Sequence, residues 1–159
     1  MKKSEVTILI DSLLPRLYGY AYALVGSDLH AEQLIVDAYT VYIVNDKHFL
    51  SSAHYDFQDK HERAEIKKYL LKEMLSCIYE LAVKRAPQIL GHAKECLEHE
   101  KFYELDVQKR AVVYLKEAAG YPVEDLQEIF AMQRYQILEL LHNSKSILLN
   151  EVNQYQASI

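Results

Sequence analysis

The fold of this chain is decided by residues 105–149, whose sequence is LDVQKRAVVYLKEAAGYPVEDLQEIFAMQRYQILELLHNSKSILL. Apolar residues recur here at the three- and four-residue spacing of amphipathic helices, interrupted by Gly120-Tyr121-Pro122. The apolar positions are Val112, Val113, Leu115, Val123, Leu126, Ile129, Ile137, Leu138, Leu140 and Leu141. This pattern predicts a helix-turn-helix unit whose second helix begins near Arg134.

The charge of that second helix is unusual for its type. In helix-turn-helix proteins it carries arginine and lysine to the bases and phosphates of a major groove. Residues 133–159 instead hold two cations, Arg134 and Lys145, and two anions, Glu139 and Glu151. Because affinity for DNA grows with the number of phosphates that a protein neutralises, this balance predicts weak binding to duplex DNA.

Length and composition restrict the class of protein. The chain has 159 residues, half of them apolar, which is enough for one ordinary domain or two small lobes. Its net charge of −5 argues against a general affinity for nucleic acid or anionic membranes.

No run of apolar residues approaches the ~20 residues that are needed to span a bilayer. The two cysteines lack paired spacing, so we expect a cytoplasmic protein in a reducing compartment.

Low glycine and proline content and long runs of helical period predict an all-α fold. We expect a first helix from Ser4 to Leu24 that Gly26 ends, and a second helix capped by Ser27. A long helix from Glu65 to Arg85 should stop or bend at Pro87. The expected buried faces of the first two helices comprise Ile8, Leu9, Leu13, Leu17, Tyr20, Ala21, Leu24, Leu34, Ile35, Ala38, Tyr39 and Tyr42.

The expected organisation is two closely packed lobes, residues 1–86 and 105–159, joined by a short helical connection at residues 87–104. This connection is too apolar to be a free linker. Residues 45–59 should form an ordered loop or a short helix, and residues 88–100 another short helix. Residues 60–85 carry seven cations and four anions, which form a local basic stripe in an acidic protein.

Three segments resemble a known bacterial family. Residues 30–39, HAEQLIVDAY, are similar to the acidic D-A-E-D-L-V-Q-E-x-F helix of extracytoplasmic-function sigma factors. Residues 105–111 and 120–126 stand where that family has L-P-x-x-x-R-x and G-x-S-x-E-E-I. Order and spacing match over almost the whole chain. The resemblance implies one lobe similar to sigma region 2 and one similar to the helix-turn-helix of sigma region 4.

The resemblance also assigns roles to residues. The residues expected to bind a protein partner are Glu32, Gln33, Val36, Asp37, Leu138 and Leu141. The residues expected at DNA, if promoter recognition is retained, are Lys67, Lys68, Lys72, Arg134, Gln136, Asn143 and Lys145. An Asp and a Gln that the family presents to RNA polymerase correspond to Gln33 and Val36, and two of its arginines correspond to Leu140 and Asn143.

A metal site and an enzymatic function are both disfavoured. His92, Cys96 and His99 follow a spacing that can offer three ligands to Zn²⁺. Cys96 also continues an apolar stripe, where a buried thiol acts as a small hydrophobe, so we expect no metal or other cofactor. The sequence contains no apparent nucleophile–base pair, phosphate-cradling glycine loop or carboxylate dyad. We therefore expect neither an enzyme nor a small-molecule substrate.

Two functions remain. The first is a sigma-like protein that acts through protein contacts with an anti-sigma factor, RNA polymerase or another regulator, and whose promoter recognition is weakened or lost. The second is a divergent but working sigma factor that directs RNA polymerase to promoter DNA. The second predicts salt-dependent DNA binding, whereas the first does not.

Overall fold

The computed structural model describes residues 2–45, 59–89 and 100–157, and the regular structure within these ranges is entirely helical. The helices are α1 (Lys2–Val25), α2 (Asp28–Asn45), α3 (Lys60–Ile89), α4 (Glu100–Glu104), α5 (Val107–Val113), α6 (Val123–Phe130) and α7 (Arg134–Ala157). A π-helical segment, Tyr114–Ala118, continues α5. The expectation of an all-α fold is confirmed. None of the helices in the described ranges is both long and apolar enough to cross a membrane.

Helix α1 contacts α2, α3 and α5, and its buried side chains form the centre of the molecule. These side chains are Leu9, Ile10, Leu13, Leu17, Tyr20, Ala21 and Leu24. Gly26 ends the helix as expected, with a φ of 66° that favours glycine. The expectation that Ile8 shares the buried face is wrong, since its side chain is 58% exposed. Ile8 lies about half a turn around the helix from the buried Leu17.

Helices α1, α2 and α3 pack against one another, and we call this group of helices the first lobe, although one apolar core runs through it and the remaining helices. The buried apolar residues of α2 and α3 are Ala31, Leu34, Ala38, Tyr42, Ile66, Leu70, Leu71, Met74, Leu75, Ile78 and Ala82. The expected apolar face of α2 is confirmed, because Ile35 and Tyr39 pack at the edge of this core. Ser27 directly precedes α2, and its carbonyl accepts the Ala31 amide at 2.9 Å.

Helix α3 is longer than expected at both ends. It begins at Lys60 rather than Glu65, and its helical path passes through Pro87 to Ile89. Proline removes one amide donor, which orphans the carbonyl four residues earlier. That residue, Val83, is exposed, so water can satisfy its carbonyl. The predictions for residues 46–58 and 90–99 lie outside the described residues.

The second lobe consists of α5, the π-helical segment, α6 and α7. Asp106 caps α5 by accepting the Lys109 amide at 2.8 Å. The fully buried apolar side chains of this lobe are Leu105, Val107, Ala111, Val112, Val113, Leu115, Leu126, Ile129, Phe130, Ile137 and Leu141. Most of the apolar positions that predicted the helix-turn-helix therefore lie in its core.

A buried arginine joins the two lobes. Arg110 of α5 is only 5% exposed, and its guanidinium donates to the Leu24 carbonyl at the end of α1 at 2.6 Å. It also donates to the carbonyls of Leu105 at 2.6 Å and Tyr103 at 3.1 Å. The cation thus satisfies an orphan carbonyl at the negative end of the α1 dipole. Burial lowers the pKa of Arg110, whose ordinary value is high enough to leave it charged at neutral pH.

Side chains of α3 add a second set of contacts between the lobes. The ammonium of Lys72 lies 2.8 Å from carboxylate oxygens of both Asp125 and Glu128 on α6. The Tyr79 ring meets Phe130 of α6 edge-on, with centroids 4.7 Å apart. Its hydroxyl accepts a hydrogen bond from the Gln108 amide of α5 at 3.1 Å. The lobes therefore meet through apolar, polar and charged contacts together.

Replacing Arg110 with methionine should destabilise the protein by about 2–4 kcal/mol, because the buried carbonyls of Leu24 and Leu105 lose their donor. Arg110→Lys should also destabilise it, since one ammonium cannot reproduce the planar fork. Urea denaturation measures both changes. Lys109→Met, at the half-exposed neighbouring position, is the control and should cost less than about 0.5 kcal/mol. An equal loss for both methionine variants would contradict this role for Arg110.

The hydroxyl of Tyr114 packs against Gly19 of α1. A Cβ at Gly19 would lie 2.7 Å from this oxygen, which is too close, but 3.9 Å from the ring carbon that bears it, which is an ordinary contact. Gly19→Ala should therefore destabilise the protein, whereas the same change in a Tyr114→Phe background should stabilise it by up to about 1 kcal/mol through helix propensity. Thermal unfolding of the four proteins of this cycle measures the coupling. An effect of Gly19→Ala with the same sign in both backgrounds would disprove the steric explanation.

Candidate functional site

Two exposed surfaces contain most of the residues that the sequence predicts to be functional. The first, which we call the α2 face, comprises Leu29, Glu32, Gln33 and Val36. All four side chains are exposed, and the two apolar ones, Leu29 and Val36, are 70% and 61% exposed. Residues seven positions apart share one side of a helix, so this face presents two apolar side chains with polar ones between them.

Ion pairs and hydrogen bonds anchor α2 beside this face. Asp37, predicted to bind a partner, forms an ion pair of 2.6 Å with Arg85 of α3. Its carboxylate therefore joins two helices of the first lobe. At the other end of α2, the hydroxyl of Tyr18 donates a hydrogen bond to Asp28. This bond raises the pKa of Tyr18 to about 12.

The second surface is the exposed side of α7, the second helix of the helix-turn-helix. Both of its basic residues are paired with acidic residues of the same lobe. Arg134 lies 2.9 Å from a Glu124 oxygen at the start of α6, and Lys145 lies 2.8 Å from a Glu117 oxygen of the π-helical segment. These contacts lower the pKa values of both glutamates: the Lys145 hydrogen bond does so for Glu117, and a backbone hydrogen bond together with Arg134 does so for Glu124.

The remaining residues predicted at DNA have mixed surroundings. The side-chain oxygen of Gln136 accepts the Gln133 amide at 2.9 Å, so it caps the start of α7. Asn143 is exposed. Lys68 is exposed and Lys67 half-exposed on α3. Lys72 is only 16% exposed and is held by Asp125 and Glu128, so its ammonium serves the lobe contact and is not available to a phosphate.

The two leucines predicted to bind a partner differ. Leu138 is 45% exposed on α7, whereas Leu141 is 7% exposed and belongs to the core. The assignment of Leu141 to a partner surface is therefore corrected. Residues three apart are offset by only about 60° around a helix, so Leu138 lies at the edge of the face whose centre Leu141 buries in the core. Tyr135, exposed at the start of α7, supplies an apolar side chain that the sequence prediction did not include.

Sequence reasoning also missed Leu29 and the role of Arg110. Leu29 lies just after Gly26-Ser27 and just before residues 30–39, the segment that resembles the family. The family motif therefore gave no reason to expect an exposed apolar side chain at this position. Arg110 occupies the arginine position of the family motif, and this could have marked it. Its bond to Leu24 joins residues 86 positions apart, a contact that no local pattern encodes.

The disfavoured candidate metal ligands His92, Cys96 and His99 lie outside the described residues. Across residues 2–45, 59–89 and 100–157, the structure contains no group of three or more histidine, cysteine, aspartate or glutamate side chains that could hold a metal ion.

Comparison with known protein families finds no family model that matches the chain, and comparison with curated proteins finds no match.

The turn between α6 and α7 generates a prediction about stability. Ala131 has φ 52° and ψ 46°, the left-handed conformation that favours glycine. Ala131→Gly should stabilise the protein by about 0.5–1 kcal/mol, because relief of this strain exceeds the entropy cost of glycine. Chemical denaturation measures the change. Ala118→Gly, an exposed helical position, is the control and should destabilise; stabilisation by both changes would contradict the strain argument.

Proposed function

We propose that this chain is a sigma-factor-like regulatory protein that acts through protein–protein contacts, and that its recognition of promoter DNA is weakened or lost. The observation that carries the proposal is the pairing of Arg134 with Glu124 and of Lys145 with Glu117. These two cations are the only lysine or arginine residues of α7. Phosphates would have to compete with both carboxylates.

The energetics of this competition favour weak binding to DNA. Exposed ion pairs contribute only about 0–1 kcal/mol each, so a phosphate can displace them. The displaced carboxylates nevertheless stay close to the phosphate backbone, and Glu139 adds a third negative charge on the exposed part of α7. Few counterions would then be released per bound protein, and the dependence of DNA affinity on salt should be shallow.

The α2 face supports the protein-contact part of the proposal. Exposed apolar side chains on one side of a helix, flanked by polar ones, suit docking into an apolar groove of a partner. The family resemblance puts the polymerase-binding helix at the same residues. The family has a side-chain amide at the position of Val36. A partner with a polar group opposite this position would bury that group without a hydrogen bond, which would weaken binding by about 1–3 kcal/mol. A partner adapted to this chain would offer an apolar contact.

The first experiment measures binding of the chain to bacterial core RNA polymerase and to duplex promoter DNA, at about 50 and about 200 mM salt. We expect polymerase binding with little salt-sensitive DNA binding. Strong promoter binding by the protein or by its polymerase complex, with a steep salt dependence, would instead establish the working sigma factor. Failure to bind polymerase would direct the same assay to anti-sigma factors.

Val36→Glu tests the α2 face in the same assay. A buried, unpaired carboxylate at the contact should weaken partner binding at least about tenfold. Ile8→Glu is the matched control, because Ile8 of α1 is 58% exposed against 61% for Val36. It should change the affinity less than about twofold. Equal affinities of the Val36→Glu variant and the unchanged protein would remove the α2 face from the proposal.

A further inference from the structure

A groove of about 420 Å³ lies between α1, α3 and the turn that precedes α6. We call it the interlobe groove. The residues that carry its chemistry are Arg16, Lys67, Lys68, Leu71, Tyr121 and Pro122. Its volume falls within the range of about 300–1,000 Å³ that small-molecule sites occupy. None of the functional residues on the α2 face or on α7 lines it.

The charge of the groove is positive in a protein whose net charge is −5. Arg16, Lys67 and Lys68 line it, and the carboxylate of Asp125 is engaged by Lys72 at 2.8 Å. Within the part of the chain that the structure describes, no carboxylate forms an ion pair with Arg16, Lys67 or Lys68. The groove thus holds three cations against one carboxylate, that of Asp125, which Lys72 already pairs. The three cations repel one another, and a bound anion would relieve that repulsion.

The other walls add features that suit a phosphate group attached to an organic part. Helix α6 begins at Val123 beside the groove, and Glu124 and Asp125 in its first turn already compensate the positive end of its dipole. A phosphate in the groove would therefore be bound by side chains rather than by the start of this helix. Tyr121 is half-buried and Leu71 is buried, so the groove also has aromatic and aliphatic surface.

We propose that the interlobe groove binds a small phosphate-bearing molecule, with its phosphate at Arg16, Lys67 and Lys68 and its organic part against Tyr121 and Leu71. The limited volume favours a small ligand over a nucleic-acid strand, which would need a basic surface continuing along its backbone. Because the ligand would contact both α1 and α3 of the first lobe and the turn of the second, it would stabilise their packed arrangement.

The test titrates the full chain with inorganic phosphate, pyrophosphate and adenosine monophosphate at constant ionic strength, using calorimetry and thermal unfolding. We expect saturable binding at one site and a rise in Tm. Adenosine monophosphate binding more tightly than inorganic phosphate would indicate that the organic part contributes. Inorganic phosphate or pyrophosphate binding as tightly or more tightly would restrict the proposal to the phosphate group.

Arg16→Gln and Lys68→Gln should each weaken binding at least about tenfold. Lys84→Gln removes the same charge from α3 about 24 Å from Lys68, outside the groove, and should change the affinity less than about twofold. Circular dichroism of each variant checks that the fold is retained.

Three results would overturn the proposal. One is the absence of saturable binding by all three probes. Another is an equal loss of affinity in Lys84→Gln, which would indicate a general charge effect. The third is binding of a single-stranded oligonucleotide that is lost in Arg16→Gln and Lys68→Gln, while none of the three probes binds. This test is independent of the partner-binding test of the α2 face, because Val36→Glu should leave the affinity of the groove for these probes unchanged.

Discussion

The arrangement of this protein depends on one buried cation. The guanidinium of Arg110 donates to Leu24 of the first lobe and to Leu105 and Tyr103 beside the second. Burying a charged group is costly unless it is hydrogen-bonded, and the three bonds made by the Nη atoms offset this cost although the buried Nε has no partner. These bonds link the end of α1 to the start of α5. The Lys72 and Tyr79 contacts then orient α6 over α3, which brings the turn at Tyr121 beside Arg16 and creates the interlobe groove.

The same principle of internal pairing shapes the surfaces. Carboxylates of the second lobe bind Arg134 and Lys145 on α7, and two more bind Lys72 of α3. Of these cations only Lys72 is mostly buried, whereas the ion pairs of Arg134 and Lys145 are exposed and contribute little to stability. Two surfaces carry our proposals for other molecules. One is the α2 face, and the other is the groove at Arg16, Lys67 and Lys68, whose cations form no ion pair within the described residues.

Much of the fold could be predicted because helical periodicity is a local property. The end of α1 at Gly26, the start of α2 directly after Ser27 and the start of α7 at Arg134 agree with the structure, since each depends on neighbours within one or two turns. The Ser27 hydroxyl contacts the His30 ring, so the predicted side-chain cap is not shown. Errors arose where the choice of face depends on a distant partner. Ile8 and Leu141 are equally apolar, yet one is exposed and the other is buried, because packing with other helices decides which part of an apolar stripe meets the core. Helix α3 does not stop at Pro87, because the loss of one backbone hydrogen bond near the exposed Val83 does not by itself end a helix. The alternative that the helix bends there stays a prediction.

The sequence by itself determined the all-α class, the end of α1, the starts of α2 and α7 and the charge balance of α7, because these follow from periodicity, local turn residues and composition. The binding of a partner at α2 stays a prediction. Only the tertiary structure decided that Lys72 serves the contact between lobes, that Leu29 and Val36 are exposed together, and that Arg16 meets Lys67 and Lys68 at one groove. The Lys72 contact and the groove join side chains from separate helices, and the exposure of Leu29 and Val36 depends on which side of α2 is packed against other helices. All three features therefore exist only once burial of the apolar faces and the bonds of Arg110 have brought the helices together.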